Sequence, residues 1–149
     1  MKEYKIGYTT GVFDLFHIGH LNILKRAKES CDFLIVGVST DELVKRYKNK
    51  IPVINYEERS KIVAGIKYVD KVVPQISRDK FKAWTEHRFD IMFVGDDWKG
   101  SKEWSEFENE FNKVGVEIVY FPYTKGTSST LLTKVLKDIE SNSKELSLV

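Results

Sequence analysis

The 149-residue chain carries 24 basic and 22 acidic side chains, a formal net charge of +2, so its overall charge gives no case for a nucleic acid or a membrane surface as partner. Its length suits one domain, able to bury about two-thirds of its unfolded surface without staples. Cys31 is its one cysteine, which excludes an internal disulfide and a cysteine-rich zinc site; no run nears the ~20 apolar residues of a membrane span, and MKEYKIGYTT lacks the apolar core of a signal peptide, so the cytoplasm is the expected location.

Apolar runs alternate with amphipathic segments along the chain. YKIGYTT (4–10) leads into GVFD and predicts a first strand. Over 20–30, Leu21, Leu24 and Ala27 have helical spacing, with Lys25, Arg26 and Lys28 on the wetter face. Cys31 follows as a small packed side chain. DFLIVGVST (32–40) is almost continuously apolar, the pattern of a strand buried on both faces. Ser39 or Thr40 can cap the next helix, with Asp41 and Glu42 in its first turn. KRYKNK (45–50) is basic and precedes the helix-breaking Pro52. A helix follows over 56–67, then KVVP as a short third strand and a polar helical crossover over 78–88. DIMFVGDDW is a fourth strand ending in acids. Trp104, Phe107, Phe111 and Val114 share one helical face, EIVYFP is a fifth strand, and 128–139 forms a last helix. SNSKELSLV (141–149) is expected to fray, which leaves 1–140 as a single domain.

Strands alternating with helices predict a doubly wound parallel sheet of five strands, with ligands at the carboxyl ends of the strands. Three unusual sequences fall on that rim. GVFDLFHIGH follows the first strand, GDDW (95–98) the fourth and YTKGTSST (123–130) the fifth. His17 and His20 make a poor zinc pair, because the third histidine, His87, lies in the polar crossover and helical zinc pairs use i, i+4 spacing. Packing of both rings in a turn stays open. A phosphate clamp fits better: Gly19 permits a tight turn, His20 begins a helix whose free amides attract anions, and imidazoles that carry protons near neutral pH donate to phosphate oxygens. In YTKGTSST, Gly126 bends the loop, and the hydroxyls of Thr127, Ser128, Ser129 and Thr130 offer a second anion cradle, or a simple helix cap. The acids of GDDW suit ribose hydroxyls, a metal or a turn, and Trp98 suits a base or the core.

HIGH within GVFDLFHIGH matches the HxGH signature of the nucleotidyltransferase superfamily. Together with STDE (39–42), YEER (56–59), KYVD (67–70), GDDW and the Thr/Ser-rich loop, it resembles bacterial glycerol-3-phosphate cytidylyltransferases over nearly the whole chain. The resemblance implies a Rossmann-like nucleotidyltransferase fold and a Mg²⁺-dependent reaction in which CTP and a phospho-alcohol give a CDP-alcohol and pyrophosphate. It implies that His17 and His20 hold CTP phosphates and the transition state, as paired proton-bearing donors. Val12 and Phe13 fall where family backbone meets the nucleotide. Lys48 matches a loop residue for the substrate phosphate and Lys50 one for CTP. Arg59 matches an arginine needed for activity, and Lys80 a substrate-binding lysine. Asp97, Trp98 and the loop of Tyr123, Thr124, Lys125, Gly126, Thr127, Ser128, Ser129 and Thr130 match the rest of the nucleotide site, with Mg²⁺ carried by the CTP phosphates rather than by side chains.

The chain departs from the family at Tyr123, which replaces an active-site arginine, at Ser129, which replaces a threonine, and at Lys67, where arginine is common. The loss of a rigid fork at position 123 leaves Lys125 to supply the charge. Other phospho-alcohols (phosphocholine, phosphoethanolamine, a sugar phosphate), an adenylyltransferase, a nucleotide binder without turnover and an interaction module stay as alternatives. The resemblance also implies a homodimer, to which Trp84, Trp104 and the aromatic face of 104–114 contribute unless they are core, and a product used for teichoic acid or capsule.

Overall fold

The structure, a computed structural model, describes residues 5–96, 99–122 and 129–147, without the side chains of 129–130 and 141–147. Five strands, β1 (Ile6–Gly11), β2 (Phe33–Ser39), β3 (Lys71–Gln75), β4 (Ile91–Gly95) and β5 (Glu117–Phe121), form one parallel sheet in the order β3-β2-β1-β4-β5. Six helices connect and follow them: α1 (Ile18–Glu29), α2 (Asp41–Lys48), α3 (Tyr56–Ala64), α4 (Lys80–His87), α5 (Lys102–Lys113) and α6 (Ser129–Ser147). This is the expected Rossmann-like sheet.

The period-2 alternation of the strands feeds two cores. Leu34, Val36 and Val38 of β2 and Ile91 and Phe93 of β4 point to one face, where they meet Leu24 and Ala27 of α1 and Val63 of α3. Tyr8, Ile35, Val73 and Met92 point to the other, against Phe89 and against Trp104 and Phe111 of α5. DFLIVGVST is therefore hydrophobic throughout because each of its faces has a core to fill. Trp104 and Phe111 are buried and Trp84 and Phe107 pack beside them, so these aromatics belong to the second core. Cys31 is half-buried beneath β1, its thiol donating to the Ala27 carbonyl, and burial raises its pKa.

The caps follow the sequence signals: the Thr40 hydroxyl accepts the Leu43 N–H, and Asn55, Asp79 and Ser101 do the same for α3, α4 and α5. Two boundaries differ. α1 begins at Ile18 with His17 as its cap, two residues before the predicted start. α6 continues through Ser147, into the segment expected to fray. From β1 the chain steps outward to β2 and β3, then returns to β4 on the other side of β1. The connections leaving β1 and β4 diverge onto opposite faces, and that divergence opens a crevice at their carboxyl ends.

Candidate active site

The crevice begins with the loop from β1 to α1. Phe13 (φ 55°) and Leu15 (φ 50°) lie in the left-handed region, which bulky residues seldom adopt and which costs about 1–3 kcal/mol apiece. A tight fold-back is built into β1 itself: a Cβ on Gly11 would stand 2.9 Å from the Phe13 ring. Two side chains hold the conformation. The buried Asp14 carboxylate accepts the N–H groups of Val53 (2.8 Å) and Ile54 (2.9 Å). The fully buried Arg59 guanidinium donates to the carbonyls of Val12 (2.7 Å), Ser39 (2.8 Å) and Ile54 (2.8 Å) and to the Asp41 carboxylate (2.5 Å). Arg59 and Val63, one helical turn apart, are the two buried side chains of α3. One cation thus ties the β1 loop to the end of β2 and the start of α2. Arg59, an expected catalytic residue, is fully buried here, and it meets Val12 through the Val12 carbonyl.

His17 and His20 form a reciprocal cap. Nδ1 of His17 accepts the Gly19 N–H (3.0 Å), and Nδ1 of His20 accepts the His17 N–H (3.3 Å). Gly19 is a buried residue of the first helical turn, and the left-handed turn falls on Phe13 and Leu15 instead. A ring nitrogen that accepts an N–H carries no proton, so both imidazoles are neutral and each presents its proton on Nε2. Electrostatics agree. Burial lowers the His17 pKa, and burial with the neighbouring His17 takes His20 down to about 4, against an opposing pull from Asp14. The rings stand 4.0 Å apart, and the Phe13 ring meets His20 edge-on. With both Nδ1 atoms engaged by backbone N–H groups, the proton that each ring can donate is the one on Nε2.

His20 lines a cavity of about 420 Å³ at the ends of β1 and β4, together with Val12, Phe13, Val94 and Phe121. The same cavity is lined by the charged side chains Lys48, Arg78, Lys80 and Glu103. Lys80 Nζ donates to Thr10 Oγ1 (3.1 Å) at the end of β1. Loss of water, with a smaller contribution from Arg78 and against the pull of Glu103, brings its pKa down to about 8. Arg78 and Glu103 pair at 2.8 Å. Sequence reading missed these two, which lie 25 residues apart without a shared motif. It also missed Asp14, although an acid inside an apolar loop is a signal for backbone capping. Lys50 is exposed, two residues past the end of α2, and does not line the cavity. Asp97, Trp98, Tyr123, Thr124, Lys125, Gly126, Thr127 and Ser128, together with the side chains of Ser129 and Thr130, lie outside the described residues. Among the described residues no group of three or more His, Cys, Asp or Glu side chains has metal-binding geometry, and no helix is long and apolar enough to cross a membrane.

Comparison with known proteins matches residues 8–143 to the family model described as cytidylyltransferase-like. The chain is 40% identical over 123 residues to glycerol-3-phosphate cytidylyltransferase of Bacillus subtilis, covering 82% of this chain and 89% of that one. It is 34% identical over 135 residues to FAD synthase of Pyrococcus horikoshii, covering 87% and 88%. Among solved structures, the lipopolysaccharide core biosynthesis protein of Thermoplasma volcanium superimposes with a TM-score of 0.68 at 30% identity, over 84% of this chain and all of that one.

Proposed function

The chain belongs to the cytidylyltransferase-like family, and from that premise we propose that it transfers CMP from CTP to glycerol 3-phosphate, giving CDP-glycerol and pyrophosphate. One observation carries the reading: a pair of oriented imidazole donors and the cations Lys48, Arg78 and Lys80 line or adjoin a single cavity at the switch point of the sheet. Two anions can be held there side by side. The similarity to glycerol-3-phosphate cytidylyltransferases supports the acceptor.

A phosphate oxygen of the acceptor attacks the α-phosphorus of CTP, the bond from that phosphorus to the β-bridging oxygen breaks, and pyrophosphate leaves. Holding the two reactants in line is worth up to about 7–11 kcal/mol of the barrier. Nε2–H of His17 and of His20 donates to CTP phosphate oxygens and to the charge that grows at the α-phosphate. Val12 and Phe13 shape the nucleotide's berth, kept in place by Arg59 and Asp14. Lys48 and Lys80 hold the acceptor phosphate. Asp97, Trp98 and the 123–130 segment are assigned to CTP by the family likeness alone, with Lys125 to supply charge in place of the arginine lost at Tyr123. Lys50 reaches CTP as its loop folds in.

Mg²⁺, when bound with CTP, would neutralise part of the charge of its phosphates. The Asp14 carboxylate holds two backbone amides and Glu103 pairs with Arg78, so on this reading the CTP phosphates rather than these two side chains would hold the ion. The proposal includes a cytoplasmic homodimer and a product used in surface-polymer synthesis. The exposed apolar side chains Leu131, Val135, Leu136 and Ile139 of α6 support a partner copy.

The test is pyrophosphate release by the purified protein with Mg²⁺. Release from CTP on addition of glycerol 3-phosphate, with CDP-glycerol formed, is expected. The FAD synthase relative favours ATP as the competing donor. Faster release from ATP across the same acceptors would overturn the cytidine assignment, and no release with any acceptor would overturn transfer itself. A nucleotide at 100 times its dissociation constant adds about 2.7 kcal/mol of stability, so thermal shifts rank CTP against ATP, GTP and UTP independently of turnover.

A further inference from the structure

We infer that the Arg78–Glu103 ion pair selects the acceptor, admitting a phosphate ester with free hydroxyls and rejecting one with a fixed positive charge. The inference rests on the transfer reading above and adds the element that sets acceptor choice.

Arg78 lies in the connection between β3 and α4, and Glu103 in the first turn of α5. The two meet across the cavity, Nη2 to Oε2 at 2.8 Å, with side chains 40% and 42% exposed, so the pair is presented to an incoming molecule rather than sealed in the core. The same guanidinium stands 4.8 Å from the centre of the Tyr47 ring, which also lines the cavity.

A cationic head group such as choline or an alkylammonium is recognised by a carboxylate, by an aromatic face, or by both. This end of the cavity has both, and the chain's own Arg78 already serves each of them. A second cation there meets the like charges of Arg78 and Lys80, a repulsive element that discriminates as effectively as an attractive one. A hydroxyl meets the opposite situation. It donates and accepts at once, and the ion pair sets carboxylate lone pairs beside guanidinium N–H groups. With the ester phosphate on Lys80 and Lys48, a short polyol brings its hydroxyls to Glu103 and Arg78.

The test compares kcat/KM for glycerol 3-phosphate and for phosphocholine, each with CTP and Mg²⁺, in the wild type, Arg78→Ala and Glu103→Gln. Both positions are partly exposed, and circular dichroism checks that the variants fold. The wild type is expected to favour glycerol 3-phosphate strongly. Arg78→Ala uncovers the carboxylate and the Tyr47 face, so the phosphocholine-to-glycerol-3-phosphate ratio rises by about tenfold or more. Glu103→Gln keeps the shape but removes the charge; the KM for glycerol 3-phosphate rises about threefold to tenfold, with no gain for phosphocholine. A wild type equally active on both acceptors, or an Arg78→Ala variant that loses both in the same proportion, would overturn the inference and leave the transfer reading intact. A wild type that transfers to no acceptor would overturn that reading and the inference together.

Discussion

Around His17 and His20 the rings and the β1 loop are fixed by hydrogen bonds to the backbone. At the Glu103 end the groups are long charged side chains that hold one another. The first end carries two left-handed bulky residues, a buried carboxylate on two amides and a buried guanidinium with four bonds. The second carries Arg78 and Glu103, each about two-fifths exposed, and the partly dehydrated Lys80. The difference teaches a division of labour. The strained loop is shaped before any ligand arrives, so its donors need no reorganisation during reaction. On the proposed function the charged end exchanges partners as an acceptor enters, which suits discrimination among similar small molecules.

The sharpest way to break the comparison is at the histidines. Replacing His17 or His20 with Ala lowers kcat about 100–1,000-fold if the Nε2 donors stabilise the transition state. His17→Asn adds a discriminating control: asparagine caps helices well, so α1 keeps the roughly 1 kcal/mol of its cap while the imidazole donor is gone. Low turnover with unchanged thermal stability is expected, and near-normal turnover would remove the clamp.

Arg59→Ala comes next. It leaves the Asp41 carboxylate and three carbonyls without their partner, and urea unfolding is expected to show a loss of about 3 kcal/mol alongside lower turnover. Lys48→Ala, at the other end, changes stability by no more than about 0.5 kcal/mol while raising the acceptor KM. Equal stability losses would erase the distinction between the two ends.

Two pH effects are smaller. Folding brings the Lys80 pKa down to about 8 from 10.5, so the unfolded chain holds that proton more tightly and stability rises with pH between those values. The acceptor phosphate needs the charged form, so acceptor KM climbs as pH passes about 8, and Lys80→Arg flattens that rise. For His20 the folded pKa of about 4 lies below its ordinary 6.5, so the unfolded chain takes up the proton first. Stability is therefore lost as pH falls from 6.5 towards 4, and His20→Asn lessens the loss, measured by thermal unfolding across that range.

The sequence makes the sheet legible because each strand and helix announces itself locally, through period-2 or helical spacing and through caps such as Thr40 and Asn55. The rim motif GVFDLFHIGH is legible for the same reason. What it does with its residues is not. Its left-handed positions are Phe13 and Leu15, which no local rule favours, whereas Gly19 sits in an ordinary helical turn; the strain is held by Asp14 and Arg59 through contacts 39 to 47 residues away in sequence. Arg59 reads locally as part of a charged helix face, EERSK, and only the tertiary fold turns it inward. Arg78 and Glu103 likewise meet only because the β3–α4 connection and α5 flank one cavity.

The central claim, that the nucleotide end is prebuilt around two neutral imidazoles, is tested most directly by nitrogen NMR of His17 and His20 in the free protein near pH 7. The account predicts an unprotonated, hydrogen-bond-accepting Nδ1 and a protonated Nε2 on both rings, with CTP·Mg²⁺ perturbing chiefly Nε2. Two protonated nitrogens on either ring, or a freely exchanging mixture of tautomers, would contradict it.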